Sequence, residues 1–348
     1  MTIKSLSVRN FRNHSHKTLE FGEGINIITG PNASGKTNIV EAIYYLSLAR
    51  SFRGVDDIDL ISYHSDYSQI DATVYEGGHK RSIRIIITKK GRSVLVNGKK
   101  VSKLSDLAKC VNVLLFEPKD VMLFKGSPKE RRNFLDISLS KQFPVYLEYI
   151  SRYEKALRQR NEILKSNKVD EKLLEVSTDL LIKYAGPIIN YRAMFVKDIN
   201  DILIKITRAL AGEQRKIEVN YKPYVPLTSD YQKEAKEAFK KALESDLKHK
   251  ATSVGIHRED FSISLNGKDV ALYGSQGENR ITALALKLSP YFLIKEKEKK
   301  PVVVLDDVMS ELDKKHKEQL ISFLRKFEQV FITDTKLEIE GATQIKLN

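Results

Sequence analysis

Gly30-Pro31-Asn32-Ala33-Ser34-Gly35-Lys36-Thr37 decides how this chain folds, because a glycine-rich turn of this spacing belongs between a buried strand and the start of a helix. Both flanks are present. The apolar run Ile25-Asn26-Ile27-Ile28 reads as the strand, and Ile39-Val40-Glu41-Ala42-Ile43-Tyr44-Tyr45-Leu46 as the helix. In such a P-loop the glycines let backbone N–H groups approach an anion, and the helix adds its positive end. Lys36 then reaches the β/γ-phosphate oxygens, Thr37 offers a hydroxyl to Mg²⁺, and Asn38 joins them at the first turn. A chance turn before a helix is the competing reading.

The 348 residues exceed one typical core, so two domains, or one with a large insertion, are expected. The net charge of +14 is unevenly spread. Residues 79–109 hold ten basic side chains (Lys80, Arg81, Arg84, Lys89, Lys90, Arg92, Lys99, Lys100, Lys103, Lys109) against one acid, Asp106. Such a segment suits a polyanion, most simply nucleic acid; a solvated basic face is the alternative. The single Cys110 excludes an internal disulfide and a cysteine-built zinc site, and it fits a reducing cytoplasm. No apolar run approaches the roughly 20 residues that span a bilayer, and Met1-Thr2-Ile3-Lys4-Ser5 lacks a signal-peptide core, so no membrane role is expected. The histidines show no metal-ligand spacing, and His14 and His16 read as surface residues.

Further along, Leu6–Arg9 and Thr18–Phe21 alternate as paired strands, and Gln69–Val101 reads as a β-meander with turns at Gly77-Gly78, Lys90-Gly91 and Asn97-Gly98. The pattern then turns helical. Apolar residues recur at three and four from Tyr146 to Leu164 and again over 171–211, a helix of roughly 60 Å interrupted at Gly186-Pro187. A polar turn near Ser166 joins them. They fit an antiparallel arm with a coiled-coil-like seam, or an ordinary helical subdomain. A third helix runs from Ser229 to about His249, after which Phe261–Leu265, Asn266-Gly267 and Val270–Leu272 read as a return to the first domain.

Pro301-Val302-Val303-Val304-Leu305-Asp306-Asp307 supplies what a P-loop requires, a buried strand ending in carboxylates. Asp306 is assigned to Mg²⁺ and Asp307 to the attacking water. Ser275-Gln276-Gly277-Glu278 opens the helical run from Ile281, and a serine with free N–H groups at a helix start can receive an anion; an ordinary N-cap is the alternative.

The order of P-loop, helical insertion, Ser-x-Gly-Glu signature, Asp-Asp strand end and Ser310-Glu311-Leu312-Asp313 as a D-loop resembles the ABC-type ATPases of chromosome maintenance, the SMC class. Val8–Asn13, Gly126–Asp136, Gly255–Phe261 and Tyr273–Gly277 narrow the resemblance, from end to end, to the RecF family of bacterial recombination mediators. That resemblance implies an α/β fold, an ABC-type P-loop ATPase head with an inserted, mainly helical arm domain. The head is expected over 1–128 and 252–348, and the arm over 129–251. It implies ATP and Mg²⁺ as cofactors and an ATP-dependent homodimer in which Ser275, Gln276, Gly277 and Glu278 cap the nucleotide held by the other copy's Lys36, Thr37, Asp306 and Asp307. Duplex DNA and single-strand/duplex junctions are the implied ligands, with RecR as partner and RecO and RecA acting alongside. Arg12 is placed near the nucleotide base. Arg50 and Arg53 are expected to relay DNA contact, with Arg81, Arg84, Lys89, Lys90, Arg92, Lys99 and Lys100 on DNA.

Three departures from the pattern bear on rate. Asp307 replaces a longer Glu, Phe116–Asp120 lacks the Q-loop Gln, and Phe331-Ile332-Thr333-Asp334 lacks a switch histidine. All point to slow hydrolysis, which the resemblance implies is stimulated by DNA. The competing functions are a DNA-binding scaffold with structural nucleotide and the ATPase subunit of a membrane transporter, which usually keeps the Gln and His switches missing here.

Overall fold

Alternating apolar and polar residues build the first layer. A computed structural model describes residues 1–101, 106–107, 110–212 and 215–348, so Lys103 and Lys109 lie outside the described residues. β1 (Thr2–Phe11) and β2 (His14–Glu20) form a hairpin, β3 (Gly24–Thr29) enters the P-loop, and α1 (Lys36–Leu48) leaves it. β4 (Tyr67–Glu76), β5 (His79–Thr88), β6 (Gly91–Val96) and β7 (Lys99–Lys100) follow, giving an antiparallel sheet in the order β2-β1-β4-β5-β6-β7. The two-residue turns come where expected: Asn97 and Gly98 adopt φ of 49° and 76°, the left-handed pair that a tight hairpin demands.

The second layer is parallel. β14 (Thr343–Lys346), β3, β13 (Gln329–Asp334), β12 (Val302–Leu305) and β8 (Val113–Phe116) lie side by side in that order. All four residues of β12 are buried, as expected of a strand covered on both faces. Helix α1 is apolar on nearly every side and is buried accordingly: Ile39, Val40, Ala42, Ile43, Tyr45 and Leu46 share one core with β1 and β5 of the antiparallel sheet and β12 of the parallel one. Ile39, Val40, Ile43 and Leu46 each contribute roughly 1.5–3 kcal/mol by this burial. The helix that carries the P-loop is therefore fixed from both layers. With α8 (Lys314–Leu324), these elements make a first compact unit of residues 1–120, 205–214 and 280–348.

The second unit comprises residues 121–204 and 215–279. It holds α2 (Pro128–Gln142), α3 (Pro144–Lys165), most of α4 (Glu171–Ala211), α5 (Tyr231–His249), short α6 (Val270–Tyr273), the start of α7 (Gln276–Leu293), and a sheet ordered β11 (Lys268–Asp269), β10 (Asp260–Leu265), β9 (Ile217–Lys222). The strands over 260–269 thus group with the helical segment and not with the head. β9, a strand of only six residues that alternates over Ile217-Glu218-Val219, is the partner that draws them there.

Helices α3 and α4 run antiparallel, since Tyr146 meets Tyr191 and Arg192 at one end while Arg160 Nε donates to Thr178 Oγ1 (2.9 Å) at the other. A third helix completes the packing: Arg160 pairs with Asp246 of α5 at 2.7 Å, both buried, and Tyr231 OH donates to Ile182 O. Gly186 serves that contact, because a Cβ there would sit 3.2 Å from the Tyr231 ring.

The segments Gly126–Asp136 and Gly255–Phe261 bind each other within this unit. Arg131 forks onto Asp260 at 2.7 and 2.8 Å, Arg132 donates to Glu259 O, and buried Arg192 joins Asp136 to Glu259 (2.6 Å). His257 Nδ1 bonds Tyr153 OH (2.8 Å), its Nε2 bonds Thr252 O (3.0 Å), and burial pushes its pKa down to about 4.

Candidate nucleotide-binding site

β3 delivers the P-loop and α1 receives it, the first helical bond running from Ile39 N to Gly35 O (3.0 Å). Two glycines are obligatory for different reasons. A Cβ on Gly30 would lie 2.5 Å from Leu347 O, and Gly35 combines φ of 90° with His14 Nε2 only 2.4 Å from where its Cβ would be. Lys36 Nζ bridges the loop, donating to Gly30 O (2.7 Å) and Pro31 O (2.8 Å). Ser34 Oγ is buried without a hydrogen-bond partner among the described residues. An unpaired hydroxyl, a lysine and a helix N-terminus on one short loop form a donor set that fits a phosphate chain.

The other wall comes from the parallel sheet. β13 separates β3 from β12, so Asp306, just past β12, meets α1 across the end of β13. Thr37 Oγ1 donates to Asp306 Oδ1 at 3.2 Å, and Thr333 Oγ1 donates to the same oxygen at 2.7 Å. Asp306 is 5 % exposed. Burial pushes its carboxyl above the usual carboxylate range, and the bonds from Thr333 and Thr37 and the charge of Arg53 offset only part of that rise. A carboxylate and a hydroxyl in direct contact are hard oxygen donors of the kind Mg²⁺ takes. Asp307 is exposed and held at φ 50°, its N–H bonded to Thr333 Oγ1 at 2.8 Å. One threonine thus fixes both acids, a role with no local signal in the sequence.

Arg12 forks onto buried Glu41 with bonds of 2.9 and 2.7 Å, and Arg53 stands 3.8 Å from the same carboxylate. Arg50 is exposed. Asn38 Nδ2 donates to Asn13 Oδ1 (2.7 Å), Asn13 Nδ2 to Ala33 O (3.3 Å), and His14 Nε2 lies 3.2 Å from Gly35 O. The β1–β2 turn therefore rests on the P-loop. His14 is half-buried against that loop instead of lying on an open surface, because strand pairing carries its ring back over Gly35. Pro31, Asn32 and Ala33 form the exposed rim.

In the segment that lacks a Q-loop Gln, Glu117 pairs with Lys119 (2.9 Å) and Asp120 with Lys287 (2.7 Å), and burial pushes the Glu117 carboxyl up. In the D-loop, Ser310 Oγ donates to Asp307 O (3.1 Å), Leu312 is buried, and Asp313 caps α8 by accepting from His316 N (2.9 Å). The Glu311 side chain lies outside the described residues.

The signature segment belongs to the second unit. Ser275 and Glu278 form a capping box: Ser275 N and Oγ both donate to Glu278 Oε2 at 2.9 Å, and those bonds pull the Glu278 carboxyl down. Arg215 stands 3.3 Å from its other oxygen. Ser275, Gln276 and Gly277 are exposed, as are Leu272 and Tyr273 just before them.

The basic meander is less free than its sequence window suggests. Arg81 pairs with Glu76 (2.6 Å), Arg84 with Asp71 (2.5 Å), Lys89 with Asp66 (3.2 Å) and Arg92 with Asp57 (2.7 Å), the acids coming from outside residues 79–109. Lys80, Lys90, Lys99 and Lys100 are exposed and make no ion pair among the described residues.

Comparison with known proteins places this geometry. The RecF/RecN/SMC N terminal domain family matches residues 2–344. DNA replication and repair protein RecF of Oceanobacillus iheyensis is 36 % identical over 97 % of this chain and 94 % of its own, and RecF of Geobacillus thermodenitrificans matches equally. A solved structure of the recombination mediator RecF with ATP superimposes with a TM-score of 0.89 at 34 % identity, covering 99 % of this chain and 97 % of that one. The SMC head domain of Pyrococcus furiosus shares the fold, with a TM-score of 0.56 at 19 % identity. With its phosphate loop, paired acids and interlocked Gly126–Asp136 and Gly255–Phe261 segments all in place, the chain belongs to the RecF family of SMC-like, ABC-type ATPases.

Proposed function

We propose that this chain is a DNA replication and repair ATPase whose ATP-dependent pairing with a second copy closes a clamp on DNA. The observation that carries this reading is the contact of Thr37 Oγ1 with Asp306 Oδ1 beside the Lys36 loop. Lys36 holds the β- and γ-phosphate oxygens and the N–H groups of the α1 start orient the chain of phosphates. Thr37 and Asp306 would hold Mg²⁺, which when bound neutralises charge developing on the transferred phosphoryl group. Asp307, exposed at the strand end, orients the attacking water, and its short side chain keeps turnover slow. Arg12 stands beside the pocket as a contact for the base.

Each copy supplies only part of the site. Ser275 and Gly277, exposed at a helix start, suit the γ-phosphate held by the other copy, with Gln276 and Glu278 shaping that loop. DNA meets the meander through the unpaired Lys80, Lys90, Lys99 and Lys100 before the paired Arg81, Arg84, Lys89 and Arg92, and Arg50 and Arg53 link that surface to the pocket. Relatives solved in the RecFOR pathway support RecR and RecO as partners; RecR is taken as the direct one, with RecA downstream. Gapped duplexes are the expected substrate, in the cytoplasm.

The test is solution size with ADP and with a slowly hydrolysed ATP analogue. The analogue should double the mass of the wild type and leave Ser275→Arg monomeric with its nucleotide affinity intact. A Ser275→Arg dimer would refute the shared site.

A further inference from the structure

The antiparallel sheet has one face in the core and one open. Leu6, Val8, Ala72, Val74, Ile83 and Ile85 are buried, so the residues that alternate with them point outward. There the pairing of β1 with β4 and of β4 with β5 sets Ser5, Thr73 and Ser82 in one row, and Ser7, Asp71 and Arg84 in the next. Short side chains on three neighbouring strands leave a depression of about 380 Å³, walled at one side by Leu95 of β6.

The donors in that depression are unspent. Ser5, Thr73 and Ser82 make no side-chain hydrogen bond among the described residues, whereas Ser7 Oγ already bonds Thr18 Oγ1 at 3.0 Å. Asp71 accepts from Gln69 Nε2 on one oxygen and from Arg84 Nε on the other, both at 2.5 Å, and the Arg84 side chain is 56 % exposed. This pairing uses one of the five guanidinium donors, so Asp71 fixes the direction of Arg84 while its amino fork stays open. Arg9, exposed, follows Ser7 by two residues on β1, and Lys80 and Lys100 border the face opposite Tyr75 and Leu95. Against them stand only Glu20, opposite Ser5, and the bonded Asp71. Hydroxyl donors, an open arginine fork and surplus positive charge are complementary to phosphodiester oxygens. Width decides the kind of nucleic acid. From Ser5 to Ser82 the floor spans two strand spacings, about 10 Å, which seats one backbone but not the two of a duplex, held about 12 Å apart across the major groove. Tyr75, the next outward residue of β4 after Thr73 and half-buried, offers a ring to a base at the end of the row.

We propose that this open face is a binding site for single-stranded DNA, whose backbone lies in the depression over Ser5, Thr73 and Ser82 with one phosphate in the Arg84 fork. The inference rests on the DNA-binding reading of the chain and assigns the single-stranded side of a gap to this face.

The experiment measures fluorescence anisotropy on the full chain with a slowly hydrolysed ATP analogue, across a salt series. Its two ligands are a labelled oligothymidine of roughly 16 nucleotides, which forms no duplex, and a labelled duplex of the same length. Ser82→Glu places an acid at the exposed end of the hydroxyl row, and Arg84→Ala removes the fork. Each should weaken oligothymidine binding about tenfold or more and leave duplex binding within about threefold of wild type. Arg84→Ala should also lower the log–log salt slope for oligothymidine by about 0.7, and Arg84→Lys should restore that slope without restoring the affinity. Oligothymidine affinity within about twofold of wild type in either variant, or equal losses for both ligands, overturns the proposal. So does displacement of oligothymidine by polyglutamate as readily as by unlabelled oligothymidine, because the face would then suit an acidic protein equally well. Should Ser82→Glu fail to fold, Ser5→Glu at the other end of the row replaces it under the same criteria. A wild type that binds only the duplex removes this proposal alone, whereas one that binds neither ligand removes the DNA-binding reading itself.

Discussion

Thr333→Val removes one hydroxyl and keeps the shape of the side chain, so it isolates what that oxygen does. In the wild type it donates 2.7 Å to Asp306 Oδ1 and accepts 2.8 Å from Asp307 N, and Thr333 is 1 % exposed. A hydrogen bond to a charged partner is worth roughly 1.5–3 kcal/mol, and a buried N–H left unpaired costs roughly 1–3 kcal/mol more in stability. With Thr333 gone, Asp306 keeps the longer Thr37 bond, and burial drives its carboxyl further up. If the first term falls on metal binding and phosphoryl transfer, turnover at limiting Mg²⁺ should fall about 10- to 150-fold, at 1.36 kcal/mol per tenfold. ATP binding through Lys36 should change little. The assay is steady-state hydrolysis across a Mg²⁺ titration, with Thr333→Ser expected to recover most of the loss. Wild-type turnover by Thr333→Val at low Mg²⁺ would refute the claim that this hydroxyl positions the acids.

Three further outcomes test other parts of the account. Replacing Lys80, Lys90, Lys99 and Lys100 by Ala should flatten the log–log salt dependence of duplex binding by about 0.9 per lost phosphate contact, while Arg84→Ala and Arg92→Ala, whose charges are already paired, should change it less; the reverse ranking would move the DNA surface. Glu259→Ala takes one of two carboxylates from buried Arg192 and leaves it with Asp136, so it should cost about 1.5–3 kcal/mol of unfolding free energy in urea, and a loss under about 0.5 kcal/mol would contradict the staple between the two family segments. His257 stays neutral in the fold down to about pH 4 but protonates near 6.5 when unfolded, so its contribution is intact above that value and is lost as pH falls below it. Between pH 7 and pH 5 the loss should reach about 2 kcal/mol, absent in His257→Gln.

The elements legible in the sequence are those whose chemistry is local. Gly30–Thr37 needs only its own spacing and flanks, and Val302–Asp307 shows a buried strand ending in acids within seven residues. Thr333, Glu41 and His14 have no such signal, because each acts on a partner far along the chain: Thr333 on Asp306, Glu41 on Arg12, His14 on Gly35. The basic window misled for the same reason. Counting residues 79–109 omits Asp71 and Glu76, which antiparallel pairing of β4 with β5 sets beside Arg84 and Arg81. Short β9 was invisible until β10 paired with it, so the strands over 260–269 read as part of the head. The Gly126–Asp136 and Gly255–Phe261 segments marked the family in the sequence, but only folding shows why: they are two halves of one ion-paired lock.

Complementation between two inactive copies tests most directly whether the working site is shared. Lys36→Ala retains an intact Ser275 loop, and Ser275→Arg retains an intact P-loop. Neither alone should turn over ATP, but an equal mixture, in which about half the pairs are mixed and each mixed pair has one complete site, should recover up to about one quarter of wild-type turnover. A mixture as inactive as its components, or full turnover by Ser275→Arg alone, would contradict the claim that one chain completes the pocket of another.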